Sequence, residues 1–216
     1  MLELGASAGL NQIWDRFRYE TASWSWGAPG PVVVTTDWHG PPPPLSAPIA
    51  VRTRAACDQN PLDISEAAQR LRLRSYIWAD QTDRLARFDG AVSLAIEAGV
   101  KVDRADAGDW LADRLARRAS DAPTVVYHSI FLQYPTRETR ARIAALMEEA
   151  GRKGPAPLAW VRLEPEATLG GPRESLRVLI DMIVWRGEGS DGVRETLGVT
   201  DGHVRFVQNE RSAHDG

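Results

Sequence analysis

Apolar residues cluster in short runs whose spacing alternates between period two and a period near 3.6, and each change of period marks an element boundary. Met1 to Leu4 stop at Gly5-Ala6-Ser7-Ala8-Gly9. Leu10, Ile13, Trp14 and Phe17 then recur at helical spacing, so a strand, a small-residue turn and a helix are expected. Residues 19–48 break the rhythm with Trp24, Trp26 and Trp38, a Val32-Val33-Val34 run and consecutive prolines from Pro41 to Pro44. That mixture predicts an inserted β-ribbon or long loop closed by a stiff proline segment. Ile49 to Cys57 alternates again, with Val51, Thr53, Ala55 and Cys57 set against Arg52 and Arg54, and the run ends at Asp58. Helical spacing follows over Glu66 to Leu73 and over Gln81 to Ala98, the second closed by Gly99.

Further along, a strand over Val100 to Arg104 leads to Asp106, and Trp110 to Arg118 reads as a helix. Thr124 to Ser129 is a compact strand, Arg137 to Ala150 an amphipathic helix stopped by Gly151, and Leu158 to Glu164 another strand. No helix is expected between Glu164 and the next strand, Leu176 to Trp185; Val193 to Val199 and Val204 to Val207 then form a hairpin across Thr200-Asp201-Gly202. The alternation predicts an α/β three-layer αβα sandwich, its sheet mostly parallel with right-handed crossovers and its C-terminal strands antiparallel. It is expected as a single domain over residues 1–207, with the insertion at about 19–48 and a polar tail over 208–216.

At 216 residues the chain suits one core, and 26 basic against 29 acidic residues give a formal charge of −3. Nucleic acid is not an expected partner, because binding a phosphate backbone normally calls for a basic surplus. The lone Cys57 cannot form an internal disulfide, and His39, His128, His203 and His214 are too scattered for a metal-ligand spacing, so no metal is expected. No apolar run approaches the length of a membrane helix, and no basic leader precedes an apolar block. A cytoplasmic protein without membrane association is the expectation, and a homo-oligomer stays open.

Ligands of open α/β sheets sit beyond the carboxyl ends of the strands, where strand order reverses. This rule selects the turn Gly5 to Gly9, the Asp58 terminus and the Asp106 terminus. The turn lacks the Gly-x-Gly-x-x-Gly spacing of dinucleotide sites. Glu3-Leu4-Gly5-Ala6-Ser7-Ala8-Gly9 instead resembles the first motif of S-adenosylmethionine-dependent methyltransferases, with Ser7 where a glycine is usual. That resemblance implies a Rossmann-like core with S-adenosylmethionine as cofactor. Glu3, Gly5, Ser7, Gly9 and Asn11 would lie at its first motif, Asp58 at the ribose hydroxyls and Asp106 near the adenine amino group. The plainer role for each aspartate is to cap the next turn or helix.

A narrower similarity covers residues 2 to about 210. Glu3 to Asn11, Cys57-Asp58-Gln59-Asn60-Pro61, Arg74 to Gln81 with Arg84 to Arg87, Tyr127-His128-Ser129 and Trp160 to Pro165 together resemble an uncharacterised bacterial family of unknown function, DUF2332. The resemblance implies a methyltransferase-like fold but brings no reaction with it. It also implies a helical region ahead of the first motif that is absent from this sequence.

Methyl transfer depends mainly on positioning, with a base only where the acceptor must lose a proton. His128, at the end of the fourth strand of the alternation, is the best-placed base; the plainer role is a hydrogen-bonded histidine closing the strand. Tyr76, Trp78, Asp80 and Gln81 could line a substrate pocket or pack the core. Phe131, Gln133 and Tyr134 carry the same two readings, and Glu164 reads as a cap or salt-bridge partner. The expected function is a methyltransferase-like enzyme acting on a small-molecule substrate. The alternative is a degenerate nucleotide-binding or interaction module without turnover.

Overall fold

The alternation of strand and helix read from the sequence is present in the computed structural model, which describes residues 1–210. In chain order the strands are β1 (Leu2–Leu4), β2 (Arg18–Glu20), β3 (Ser25–Trp26), β4 (Val33–Thr35), β5 (Asp37–His39), β6 (Ala55–Asp58), β7 (Asp103–Arg104), β8 (Thr124–Ser129), β9 (Leu158–Pro165), β10 (Val178–Trp185), β11 (Val193–Thr200) and β12 (Phe206–Asn209). The helices are α1 (Ala67–Arg74), α2 (Thr82–Glu97), α3 (Ala107–Ala116) and α4 (Arg137–Lys153), with 3-10 segments at Leu10–Arg16 and Glu166–Leu169.

Nine strands form one sheet in the order β5-β12-β11-β10-β9-β8-β1-β6-β7, and β3-β2-β4 form a small second sheet from the insertion. From β7 to β9 the pairs are parallel, in the order third, second, first, fourth, fifth, which is a doubly wound Rossmann-like arrangement with its switch point between β1 and β8. β10, β11 and β12 extend the sheet as an antiparallel meander, and the hairpin read at Thr200 to Gly202 joins β11 to β12.

The direction of travel across the sheet reverses after β7. Right-handed crossovers then place α3 and α4 on the opposite face from the Leu10–Arg16 segment and α2. Alternation along the strands agrees: Leu4, Cys57, Val126, Leu158, Trp160 and Trp185 form one core with Trp110 and Leu111 of α3 and Ile143 and Met147 of α4. A second core joins Ala8, Ile13 and Phe17 to Val32 and to Ala91 and Ala95 of α2.

Several boundaries differ from the sequence reading: the strand expected over 100–104 is confined to Asp103–Arg104, α4 runs through Gly151 to Lys153 instead of stopping there, and a short 3-10 segment, Glu166–Leu169, follows β9 where no helix is expected. The first helix is a 3-10 segment broken at Ile13, because the Gln12 carbonyl accepts a hydrogen bond from Arg54 Nε at 2.7 Å and so leaves the helical ladder. The strand expected over 49–57 is confined to Ala55–Asp58, since β1 offers only three residues for pairing. Gln208 and Asn209, expected in the polar tail, pair with β11, while the rest of that tail from residue 211 lies outside the described residues. The insertion is more than a ribbon: β5 reaches the far edge of the large sheet and pairs in parallel with β12.

Gly151, buried in α4, lies against the 2%-exposed Trp185, and a Cβ added there would collide with the face of that ring. Alanine gains about 1 kcal/mol of helix propensity, but overpacking a rigid ring costs about 1–3 kcal/mol. We therefore expect Gly151→Ala to lower stability by up to about 2 kcal/mol in urea titration, with an unchanged m-value.

Candidate functional site

The turn after β1 is held open by backbone geometry. Gly5, Ser7 and Gly9 all have positive φ, at 67°, 54° and 72°. Such angles favour residues without a Cβ, and Ser7 adopts one because its amide and carbonyl are both tied down. Its N–H donates to Asp58 Oδ2 at 2.9 Å and its carbonyl accepts from Leu62 N–H at 3.1 Å. Asp58 Oδ1 accepts from Asn60 N–H at 2.8 Å, and the Asp58 carbonyl accepts from Ala105 N–H at 3.0 Å. One residue at the end of β6 therefore stitches together the turn after β1, the loop after β6 and the end of β7.

Asp106 caps α3, its Oδ1 accepting from Gly108 N–H at 2.8 Å and Asp109 N–H at 3.1 Å. The structure thus gives both aspartates backbone work and still brings them to one edge of the sheet. Cys57 records their proximity: burial, reinforced by the charges of Asp58, Asp103 and Asp106, pushes its thiol up to about 12. An ionised carboxylate has about four acceptor positions, so the half-exposed Asp58 keeps capacity for a ligand hydroxyl beyond its two backbone bonds.

The notch itself is filled by the protein. The Phe131 ring lies on the open side of Gly5. Around Gly9, a Cβ would meet Gln12 Nε2 at 2.5 Å, Val102 at 2.8 Å and Val100 at 2.9 Å. Gln12 also donates to the Lys101 carbonyl at 3.0 Å, so this side of the turn is packed structure.

Glu3 and Asn11 lie together, away from that notch. Glu3 is 3% exposed and accepts from Asn11 Nδ2 and from the hydroxyl of Tyr127, its register partner on β8, both at 3.2 Å. Burial raises its carboxyl to about 7 against the two hydrogen bonds. Asn11 and Tyr127 line the larger groove, about 1460 Å³, which runs over Val161, Leu163 and Ile180 on that sheet face. The carboxyl edge with Gly5, Asp58 and Asp106 is a separate place.

His128 is on the other face. Its Nδ1 is 2.6 Å from Glu164 Oε1, and both side chains are 0% exposed. The same carboxylate oxygen accepts from Phe131 N–H at 2.7 Å and Leu132 N–H at 3.1 Å. His128 Nε2, Glu164 Oε2 and Trp160 Nε1 are buried without a hydrogen-bond partner. Burial also holds the imidazole below its usual pKa, with Arg162 adding to the effect and Glu164 and Asp181 opposing it. Beside this pair, Arg162 stacks on the Trp160 ring at 4.5 Å and pairs with Asp181, which also holds Arg194 at 2.6 Å. Glu164 is the residue that sequence reasoning undervalued. With Leu158 and Trp160 inward, period two puts Arg162 and Glu164 on the same buried face.

Tyr76 and Trp78 are 64% and 76% exposed and line neither of the two best-formed cavities. Gln81 accepts from Arg84 Nη1 at 2.8 Å, Gln133 is exposed, and neither lines either of the two best-formed cavities. Among the described residues, no group of three or more His, Cys, Asp or Glu is placed to hold a metal ion, and no helix is long and apolar enough to cross a membrane.

The sheet order and the stitched edge define a Rossmann-like α/β domain whose carboxyl-edge loops follow β1, β6 and β7. The chain belongs to a family described as an uncharacterised protein conserved in bacteria, DUF2332, which matches residues 1–209. No curated protein and no solved structure matches it.

The pH response of Glu3 follows from its environment. Its folded-state pKa is about 7 against an ordinary 4.5, so stability is greatest where both states are protonated. It falls by about 1.4 kcal/mol per pH unit as the unfolded carboxyl ionises and levels off once the folded one does, a total of about 3 kcal/mol. Unfolding titrations at pH 5 and pH 8 should show Glu3→Gln losing much less stability across that interval than wild type.

Proposed function

We propose that this chain is an S-adenosylmethionine-dependent methyltransferase-like enzyme of the cytoplasm, acting on a small-molecule acceptor. One observation supports this most: at the carboxyl edge of a doubly wound sheet, the positive-φ turn, Asp58 and Asp106 adjoin one another in the order the motif resemblance implies. With the Phe131 ring turned away from Gly5, the residues present suit the adenosine part of that cofactor. The Asp58 carboxylate would accept its ribose hydroxyls and Asp106 would face its amine, while the Ala6, Ser7 and Gly9 amides stay engaged within the protein and shape the turn. The bound cofactor would supply an electrophilic methyl group. The chain's own contribution is to orient the acceptor, exclude water and take up a proton, for which His128 is the base.

A second reading, a binding or interaction module without turnover, is favoured by the filling of the turn by Phe131, Gln12, Val100 and Val102. The two readings separate by calorimetry with S-adenosylmethionine and S-adenosylhomocysteine. The first predicts micromolar binding that tightens in Phe131→Ala and weakens about 10- to 100-fold in Asp58→Asn, which keeps an acceptor for the Ser7 amide but loses the charge. No heat with either ligand, in wild type and in Phe131→Ala, refutes the cofactor assignment. Binding without methyl transfer to any metabolite in a bacterial extract selects the module.

A further inference from the structure

The His128–Glu164 pair concentrates several unfavourable features in one place. Two titratable side chains are fully buried side by side. The neighbouring guanidinium, Arg162, is committed to Asp181 rather than to Glu164. The carboxylate oxygen Oε1 is instead held by three N–H donors: the His128 ring and the Phe131 and Leu132 amides. Ile130, just before those amides, adopts φ +50°, a left-handed angle that a β-branched residue rarely takes. With Nδ1–H given to Glu164, the Nε2 lone pair is buried without a partner. Both features are unfavourable for folding and both converge on this pair.

Two rings pack on the imidazole: Trp160, buried in the core at 5.9 Å between centroids, and Phe131. Phe131 is half-buried, its ring centroid is 5.3 Å from that of His128, and the same ring lies on Gly5. We infer that His128 and Glu164 form a general-base pair in which Glu164 is the positioning residue, and that Phe131 is its cover, so that displacing one ring opens the Gly5 notch and uncovers His128 together. The base role rests on the methyltransferase reading; the pairing and the cover do not. When the pair acts, an O–H or N–H bond of the nucleophile breaks and its proton goes to Nε2. The nucleophile keeps the electron pair, and the imidazolium is stabilised through Nδ1–H by the Glu164 carboxylate. The charged groups facing the imidazole are Glu164 and Arg162 from β9 and Asp181 from β10, with Arg194 of β11 behind Asp181.

The test needs no cofactor, so its failure is distinct from failure of the methyltransferase reading. Nitrogen-15 shifts of wild-type imidazoles should show His128 protonated at Nδ1 and bare at Nε2; an Nε2–H tautomer overturns the pairing without any variant. Diethyl pyrocarbonate should modify the exposed His39 and His203 while sparing His128 in wild type, and should modify His128 at least tenfold faster in Phe131→Ala. Phe131→Leu, which keeps an apolar cover, should resemble wild type. In the Phe131→Ala background, Glu164→Gln should lower the titration midpoint of His128 by about one pH unit, because the neutral amide no longer favours the imidazolium. Equal reactivity of His128 in wild type and Phe131→Ala, or a midpoint unmoved by Glu164→Gln, overturns the inference. If the base pair passes and calorimetry shows no S-adenosylmethionine binding, the pair stands and the methyltransferase reading falls.

Discussion

A strand of three residues joins the two halves of the sheet. β1 pairs with β6 on one side and β8 on the other, so Leu2–Leu4 must satisfy ladders in both directions while its side chains anchor both faces. Leu4, 1% exposed, is in the core beneath α3 and α4, and Glu3 faces the opposite side. Everything that defines the candidate site follows from this central position. The turn after β1 is at the reversal of strand order because β1 is there, and Asp58 and His128 flank that turn because β6 and β8 are its only possible neighbours. A strand so short has little cohesion of its own. The Asp58 carboxylate supplies some of what is missing by tying the exit of β1 to the exit of β6.

Much of this was legible in the sequence, for definite reasons. Period changes located β8, α4, β9 and the β11–β12 hairpin, because those elements are long enough for alternation or helical spacing to show, whereas Gly151, read as a stop, lies inside α4. The Asp58 and Asp106 termini were legible because strand ends in α/β sheets have a fixed meaning. What was not legible depends on partners distant in sequence. The pairing of β5 with β12 joins an insertion to the C-terminal edge, and nothing in Asp37-Trp38-His39 announces it. The shortening of the first helix depends on Arg54, far along the chain, withdrawing the Gln12 carbonyl from the ladder. The exposure of Tyr76 and Trp78 was not legible either, because aromatic residues after a short helix carry no information on what faces them. Glu164 could have been found by applying period two to β9 and asking why a carboxylate falls on the buried face.

The buried polar groups of that face form two units. Arg162, Asp181 and Arg194 make a charge cluster in which Asp181 meets two guanidiniums and the Trp160 ring supports one of them. This cluster carries two positive charges against one negative and links β9, β10 and β11, the antiparallel part of the sheet. The His128–Glu164 unit belongs to the switch point, where β8 leaves the sheet; its carboxylate is held directly by N–H donors, with Arg162 of the neighbouring cluster as the nearby cation. The antiparallel extension is thus tied by ion pairs, whereas the carboxyl end of β8 retains a lone pair without a partner.

The occupied notch bears on function only through its magnitude. Fully burying a phenylalanine is worth about 1.5–3 kcal/mol, and Phe131 is only half-buried, so turning its ring out to solvent costs about 1 kcal/mol. A penalty of that size lowers the apparent affinity of a ligand by less than tenfold. On the proposed reading, a ligand that binds moderately well would displace such a ring. Gln12, Val100 and Val102 around Gly9 differ in kind, because Gln12 is hydrogen-bonded to the Lys101 carbonyl and belongs to the packed 3-10 segment. Of the two ends of the turn, the Gly5 end therefore yields first, and it is the end next to the unpartnered Nε2 of His128.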